Sequence, residues 1–145
     1  MAFEVTEVAT VLQGLKWEPR ALDERTWRCT LTTSVGTVKL VVRHAGAWLY
    51  VSVIPFFEAG SVKKWGRNKY PVGFLGRLLA VNRNLTMAKF ALDDDGDIVL
   101  QSELPTESLT PALLANVAQL LLRTTEQYRA PVRDALLDAG RAASE

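Results

Sequence analysis

One cysteine, Cys29, and one histidine, His44, are all the thiol and imidazole that this 145-residue chain can offer to a metal or a nucleophilic mechanism. A structural zinc site takes about four such ligands, and a disulfide takes a second cysteine. No serine sits in a Gly-x-Ser-x-Gly elbow, and no Gly-x-x-x-x-Gly-Lys phosphate loop is present. Gly73 and Gly76 lack the third glycine of a dinucleotide fingerprint. The acidic run Asp93-Asp94-Asp95-Gly96-Asp97 invites a calcium loop. With Gly96 at the sixth position of that loop, the first falls on Ala91 and the twelfth on Ser102, so both essential carboxylates are missing. The run reads instead as a solvated hairpin turn. His44, ending an alternating strand pattern, reads as a hydrogen-bonded rim residue. These residues predict a chain that is not an enzyme and holds no cofactor or metal.

Binding chemistry is better represented. Arg28, Thr30, Lys39, Arg43, Trp48 and Tyr50 fall on one face if the alternating patterns around them are strands. Phe57, Lys63, Lys64 and Trp65 follow in the next loop. Trp, Tyr and Arg are enriched at protein-binding hot spots, which makes Trp48, Tyr50, Phe57 and Trp65 the expected protein-binding residues. Aromatic rings beside cations also stack bases and follow phosphates. The alternative is therefore single-stranded nucleic acid on Arg28, Lys39, Arg43, Lys63 and Lys64, bound directly or through a partner that handles it.

The elements that must position these residues are legible from periodicity. Residues 5–16 carry Val8, Leu12 and Leu15 at helical spacing, widened by Val11. Pro19 marks the exit. Residues 26–54 alternate as a three-stranded meander. Trp27, Cys29 and Leu31 point inward, then Val38, Leu40 and Val42, then Leu49, Val51 and Val53. Residues 55–70 are the longest irregular stretch. Pro71 opens a second helix to about Asn84. Residues 86–104 form a hairpin around the Asp-Gly turn. Thr110-Pro111 caps a long helix whose seam runs through Leu113, Val117, Leu121, Tyr128, Val132 and Leu136. Pro131 is expected to kink or break that helix, and Gly140 to end it. The fold class is α+β: an α-β-β-β-α-β-β-α sandwich with helices packed on one face of an antiparallel sheet. The chain 1–145 is read as a single domain.

The net charge of +1 conceals three blocks. Residues 1–24 carry −3, residues 25–92 carry +10 and residues 93–145 carry −6. Either the acidic ends pack over the basic middle, or the middle meets an anionic partner. The opening Met-Ala-Phe-Glu-Val-Thr-Glu has no positive n-region ahead of an apolar run, so it is no signal peptide. No stretch approaches the roughly 20 apolar residues of a membrane span. A cytoplasmic protein with no membrane partner is expected.

Residues 74–128 carry a resemblance. Leu78-Leu79-Ala80-Val81-Asn82 closes a helix, and the hairpin from Lys89 to Leu100 turns on Asp93-Asp94-Asp95-Gly96-Asp97. Leu104-Pro105 and Leu109-Thr110 then lead into a leucine-rich helix. This stretch resembles the YbjN family of bacterial proteins and the broader type III secretion chaperone-like fold. The resemblance implies a non-catalytic, often dimeric domain that binds a partner protein, with a regulatory role in stress responses. It implies a structural role for Asn82, expected to cap the second helix. Secretion chaperones tend to be acidic, so the basic middle favours the YbjN-like side.

Overall fold

The computed structural model describes residues 3–57 and 70–144. In chain order the elements are α1 (Glu7–Gly14), β1 (Arg20–Asp23), β2 (Thr26–Thr33), β3 (Gly36–Ala45) and β4 (Trp48–Val53). There follow α2 (Val72–Asn82), β5 (Lys89–Leu92), β6 (Ile98–Pro105), a 3-10 turn at Thr106–Ser108 and α3 (Pro111–Ser144). All pairings are antiparallel, and the six strands lie in the order β1-β2-β3-β4-β6-β5. The α+β class and the eight expected elements are present. One strand, β1, is additional.

β1 escapes periodicity because all four of its residues are exposed. A strand with neither side chain row buried has no alternation to read. It exists through its pairing to β2, with Arg20 opposite Arg28 and Ala21 opposite Trp27. The meander itself follows its pattern: Trp27, Cys29, Val38, Leu40, Val42, Leu49, Val51 and Val53 are all buried in one core. Val8 and Leu12 of α1, Phe74 and Leu78 of α2, and Leu114, Leu121 and Leu136 of α3 complete it.

Local signals set the helix ends. α1 stops in a Schellman turn: the Lys16 N–H donates to Gln13 O at 2.8 Å and the Trp17 N–H to Leu12 O at 3.2 Å. Lys16 takes the left-handed position, φ 64°, where glycine is usual. The Thr110 hydroxyl accepts the Leu113 N–H at 3.1 Å, as an N-cap does. α3 continues through Pro131 and past Gly140 to Ser144. A proline removes one backbone bond from the helix. The turns around it stay anchored, with Arg129, Val132 and Leu136 buried on either side. Among the described residues no helix is long and apolar enough to cross a membrane.

Asn82 does not cap its own helix. Its amide Nδ2 donates to Phe90 O at 3.1 Å, and its Oδ1 accepts the Phe90 N–H at 2.7 Å. Phe90 belongs to β5, the edge strand at that side of the sheet. Asn82 therefore ties the end of α2 to the outward-facing backbone of the edge.

Candidate interaction face

The register defines two sheet faces. The inner one meets the helices. The outer one carries Thr26, Arg28, Thr30 and Thr32 of β2, opposite Arg43, Val41, Lys39 and Thr37 of β3. β4 adds Trp48, Tyr50 and Ser52, opposite Ala45, Arg43 and Val41. On the far side of β4 lie Pro105, Glu103 and Gln101 of β6. Arg28, Lys39, Arg43, Trp48 and Tyr50 thus share one face.

Arg43 and Tyr50 are direct cross-strand neighbours. The Arg43 guanidinium carbon lies 4.7 Å from the Tyr50 ring centroid, a cation–π distance. Glu103 stands on the other side of Tyr50, and the Gln101 side chain donates to Glu103 Oε1 at 3.0 Å. Trp48 is 44% exposed at the first position of β4. Its turn is pinned at Ala47, whose carbonyl accepts both the Thr106 N–H (2.9 Å) and the Thr106 hydroxyl (3.0 Å). The ring therefore projects from an anchored hairpin end.

Phe57 does not join this face. It is 4% exposed, part of the core, with its ring edge-on to Phe56 at 5.1 Å. Phe56 in turn packs edge-on against Phe90 at 4.8 Å. Burying one phenyl ring removes about 2 kcal/mol worth of apolar surface from water, which draws Phe57 inward. Lys63, Lys64 and Trp65 lie outside the described residues.

Sequence reasoning did not identify Arg129 as buried. It sits on α3 with only 2% exposure. Its Nε and Nη2 donate to Phe56 O at 3.0 and 2.7 Å, and its Nη1 donates to Thr37 O at 2.8 Å and Val35 O at 3.2 Å. One guanidinium thus holds the β2–β3 turn and the segment leaving β4 against the helix. A charged residue in a helical seam gives no sequence signal of this kind, because its partners are backbone carbonyls far away in the chain.

The remaining chemistry is sparse. Cys29 is fully buried and burial pushes its thiol up to about 11, so it stays protonated at neutral pH. His44 Nδ1 is buried and makes no hydrogen bond, contrary to the bonded rim residue expected of it. The Asp93, Asp95 and Asp97 carboxylates come within 4.8 Å of one another. Asp93 Oδ1 is engaged by the N–H groups of Asp95 (2.9 Å) and Asp97 (2.8 Å), the bonding of a tight acidic turn. Asp23 is held below the ordinary carboxylate range by the Arg25 N–H, the Thr26 hydroxyl and the nearby charge of Arg43. Arg141 and Asp138 form an ion pair on α3. What the arrangement brings together is one sheet face with a basic half and an aromatic rim.

Comparison with known proteins agrees with the architecture. The chain shares its fold with E. coli YbjN, at 16% identity and TM-score 0.53, covering 97% of this chain and 93% of that one. It is equally similar to a chain of the ExoU–SpcU heterodimer of the Pseudomonas aeruginosa type III secretion system. There the identity is 20% and the TM-score 0.54, over 89% of this chain and 97% of that one. A third is the Yersinia pestis type III secretion chaperone SycH in complex with a fragment of YscM2. It matches at 16% identity and TM-score 0.53, over 85% and 97% of the two chains. No curated protein sequence matches significantly. The model of the YbjN family, described as "Putative bacterial sensory transduction regulator", matches residues 4–134. With that match spanning nearly the whole sequence, the chain belongs to the YbjN family.

Proposed function

We propose that this protein is a non-enzymatic interaction module. It acts in the cytoplasm as a homodimer and holds a partner protein on the outer face of its sheet, in a regulatory role of the stress-response kind. The observation that carries the reading is the exposed Trp48 beside the Arg43–Tyr50 pair, on the outer face of the sheet. Trp, Tyr and Arg concentrate binding energy when a partner desolvates them. Support comes from the fold, which this chain shares with a type III secretion chaperone solved in complex with a fragment of another protein. The single buried thiol suits a reducing compartment.

For the homodimer, the supporting surface is α2. Val72 is 87% exposed and Leu79 is 67% exposed. Gly73 and Gly76 have nothing within 4 Å of where a Cβ would sit. In the two-fold dimer we propose, bulky residues of one stripe meet small residues of the other.

Affinity capture of the tagged chain from its native lysate, with and without nuclease, tests the reading. A stoichiometric protein that survives nuclease and is lost in the folded Trp48→Ala/Tyr50→Ala variant supports it. Retention of that protein by the double variant places the interface elsewhere. The second reading, single-stranded nucleic acid on Arg28, Lys39 and Arg43, is favoured by the basic half of the face. It requires capture that nuclease abolishes and an affinity that falls steeply with salt.

A further inference from the structure

We propose that the basic half of the outer face recognises a carboxylate-rich, extended segment of the partner, laid alongside β1. This rests on the interaction-module reading and names the chemistry of what is bound.

The first observation is a charge conflict. Arg20 and Arg28 stand directly opposite each other across β1 and β2. Like charges at directly opposed positions are destabilising. Arg28 is also opposite Val41, which places Lys39 and Arg43 two residues to either side of that contact. Diagonal neighbours of this kind lie about 7–8 Å apart. Four cations therefore crowd one patch. Neither β2 nor β3 contains an acidic residue. One carboxylate at the end of β1, Asp23, feels the charge of Arg43 but spends its hydrogen bonds on the Arg25 N–H at 2.8 Å and on Thr26. Such a cluster gains most from acidic groups brought by another molecule, through charge-assisted hydrogen bonds that pair guanidinium with carboxylate.

The second observation is an asymmetry between the two edges of the sheet. The β5 edge is occupied at Phe90 by the Asn82 amide. Lys89 folds back as well, its Nζ donating to the carbonyls of Asn82 and Leu85. The β1 edge, beside the basic patch, is exposed at every residue. An extended peptide can pair with that edge through its backbone. Its alternate side chains, about 6.8 Å apart along the strand, then fall on the face that carries Arg20 and Arg28. A nucleic acid backbone offers phosphate acceptors but not the alternating N–H donors and C=O acceptors that match a strand edge. The ring nearest the cations, Tyr50, is only half-exposed and lies under the Arg43 guanidinium, so it is a poor stacking platform.

The test uses the isotope-labelled full chain and three probes: a Val/Glu alternating peptide, the same peptide with Gln for Glu, and an oligothymidylate. The acidic peptide should bind and shift the backbone amide signals of residues 20–23. The Gln peptide, and the Arg20→Gln/Arg28→Gln variant with the acidic peptide, should each bind roughly tenfold more weakly, the scale of a lost charged hydrogen bond. Both arginines are on the surface, and an unchanged melting curve verifies that the variant folds. Equal binding of the Glu and Gln peptides overturns the proposal, as does binding of oligothymidylate without the acidic peptide. If the acidic peptide fails while a captured partner still depends on Trp48 and Tyr50, this inference alone falls and the interaction-module reading stands.

Discussion

The side-chain amide of Asn82 pairs with the backbone of Phe90 as a neighbouring strand would, donating to its carbonyl at 3.1 Å and accepting its N–H at 2.7 Å. Phe90 is itself buried, with its ring against Phe56. One asparagine thus fixes the end of α2, satisfies an edge strand and helps seat a core aromatic. Asn82→Ala should cost about 1–3 kcal/mol, because a paired backbone group loses its partner. Asn82→Asp, which keeps the acceptor and loses the donor, should fall between alanine and wild type. Urea denaturation checks the order.

Arg129 joins three segments through one guanidinium. Arg129→Met fills much of the volume but leaves the carbonyls of Phe56, Thr37 and Val35 without that donor. The expected loss is at least ~3 kcal/mol. Arg129→Lys should recover only part of it, since an ammonium lacks the planar fork that reaches separated carbonyls. Equal stability of Met and wild type in chemical denaturation would contradict this role.

Lys16 occupies a left-handed position that disfavours a side chain. Lys16→Gly should stabilise the protein by about 0.5–1 kcal/mol, the steric relief outweighing the added freedom of the unfolded chain. The melting temperature should rise by a few degrees, roughly in proportion.

Burial raises the Cys29 thiol to about 11 from an ordinary value of 9.0. The sign follows from linkage: the unfolded state ionises first and is favoured as pH rises. The thiol's contribution is intact below pH 9.0, and stability should fall until pH reaches about 11. Cys29→Ala should flatten that alkaline limb relative to wild type, at the cost of a small cavity. In the native protein at neutral pH the thiol should react with Ellman's reagent only as fast as the chain opens.

Leu79 projects from α2 at 67% exposure. Leu79→Glu should convert the proposed homodimer to monomer in light scattering, with little change in the melting of the monomer. A dimer that survives the charge would move the interface off α2.

Burial and turn chemistry were readable without coordinates. The alternation of Trp27, Cys29 and Leu31 defines an inward row, because side chains alternate along any strand. Thr110 caps α3 and Asp93 nucleates its turn, because those bonds span only a few residues. The co-facial placement of Arg28, Lys39, Arg43, Trp48 and Tyr50 likewise followed from a period of two. Only tertiary structure decided the rest. β1 has no buried row and exists because β2 pairs with it. Phe57 looked like a loop aromatic until the core claimed it. Asn82 and Arg129 act across 8 and up to 94 residues of chain, on backbone groups that every residue carries. Sequence pattern records which side chains avoid water. It does not record which distant backbone a polar side chain will meet, because that is set by how the elements pack.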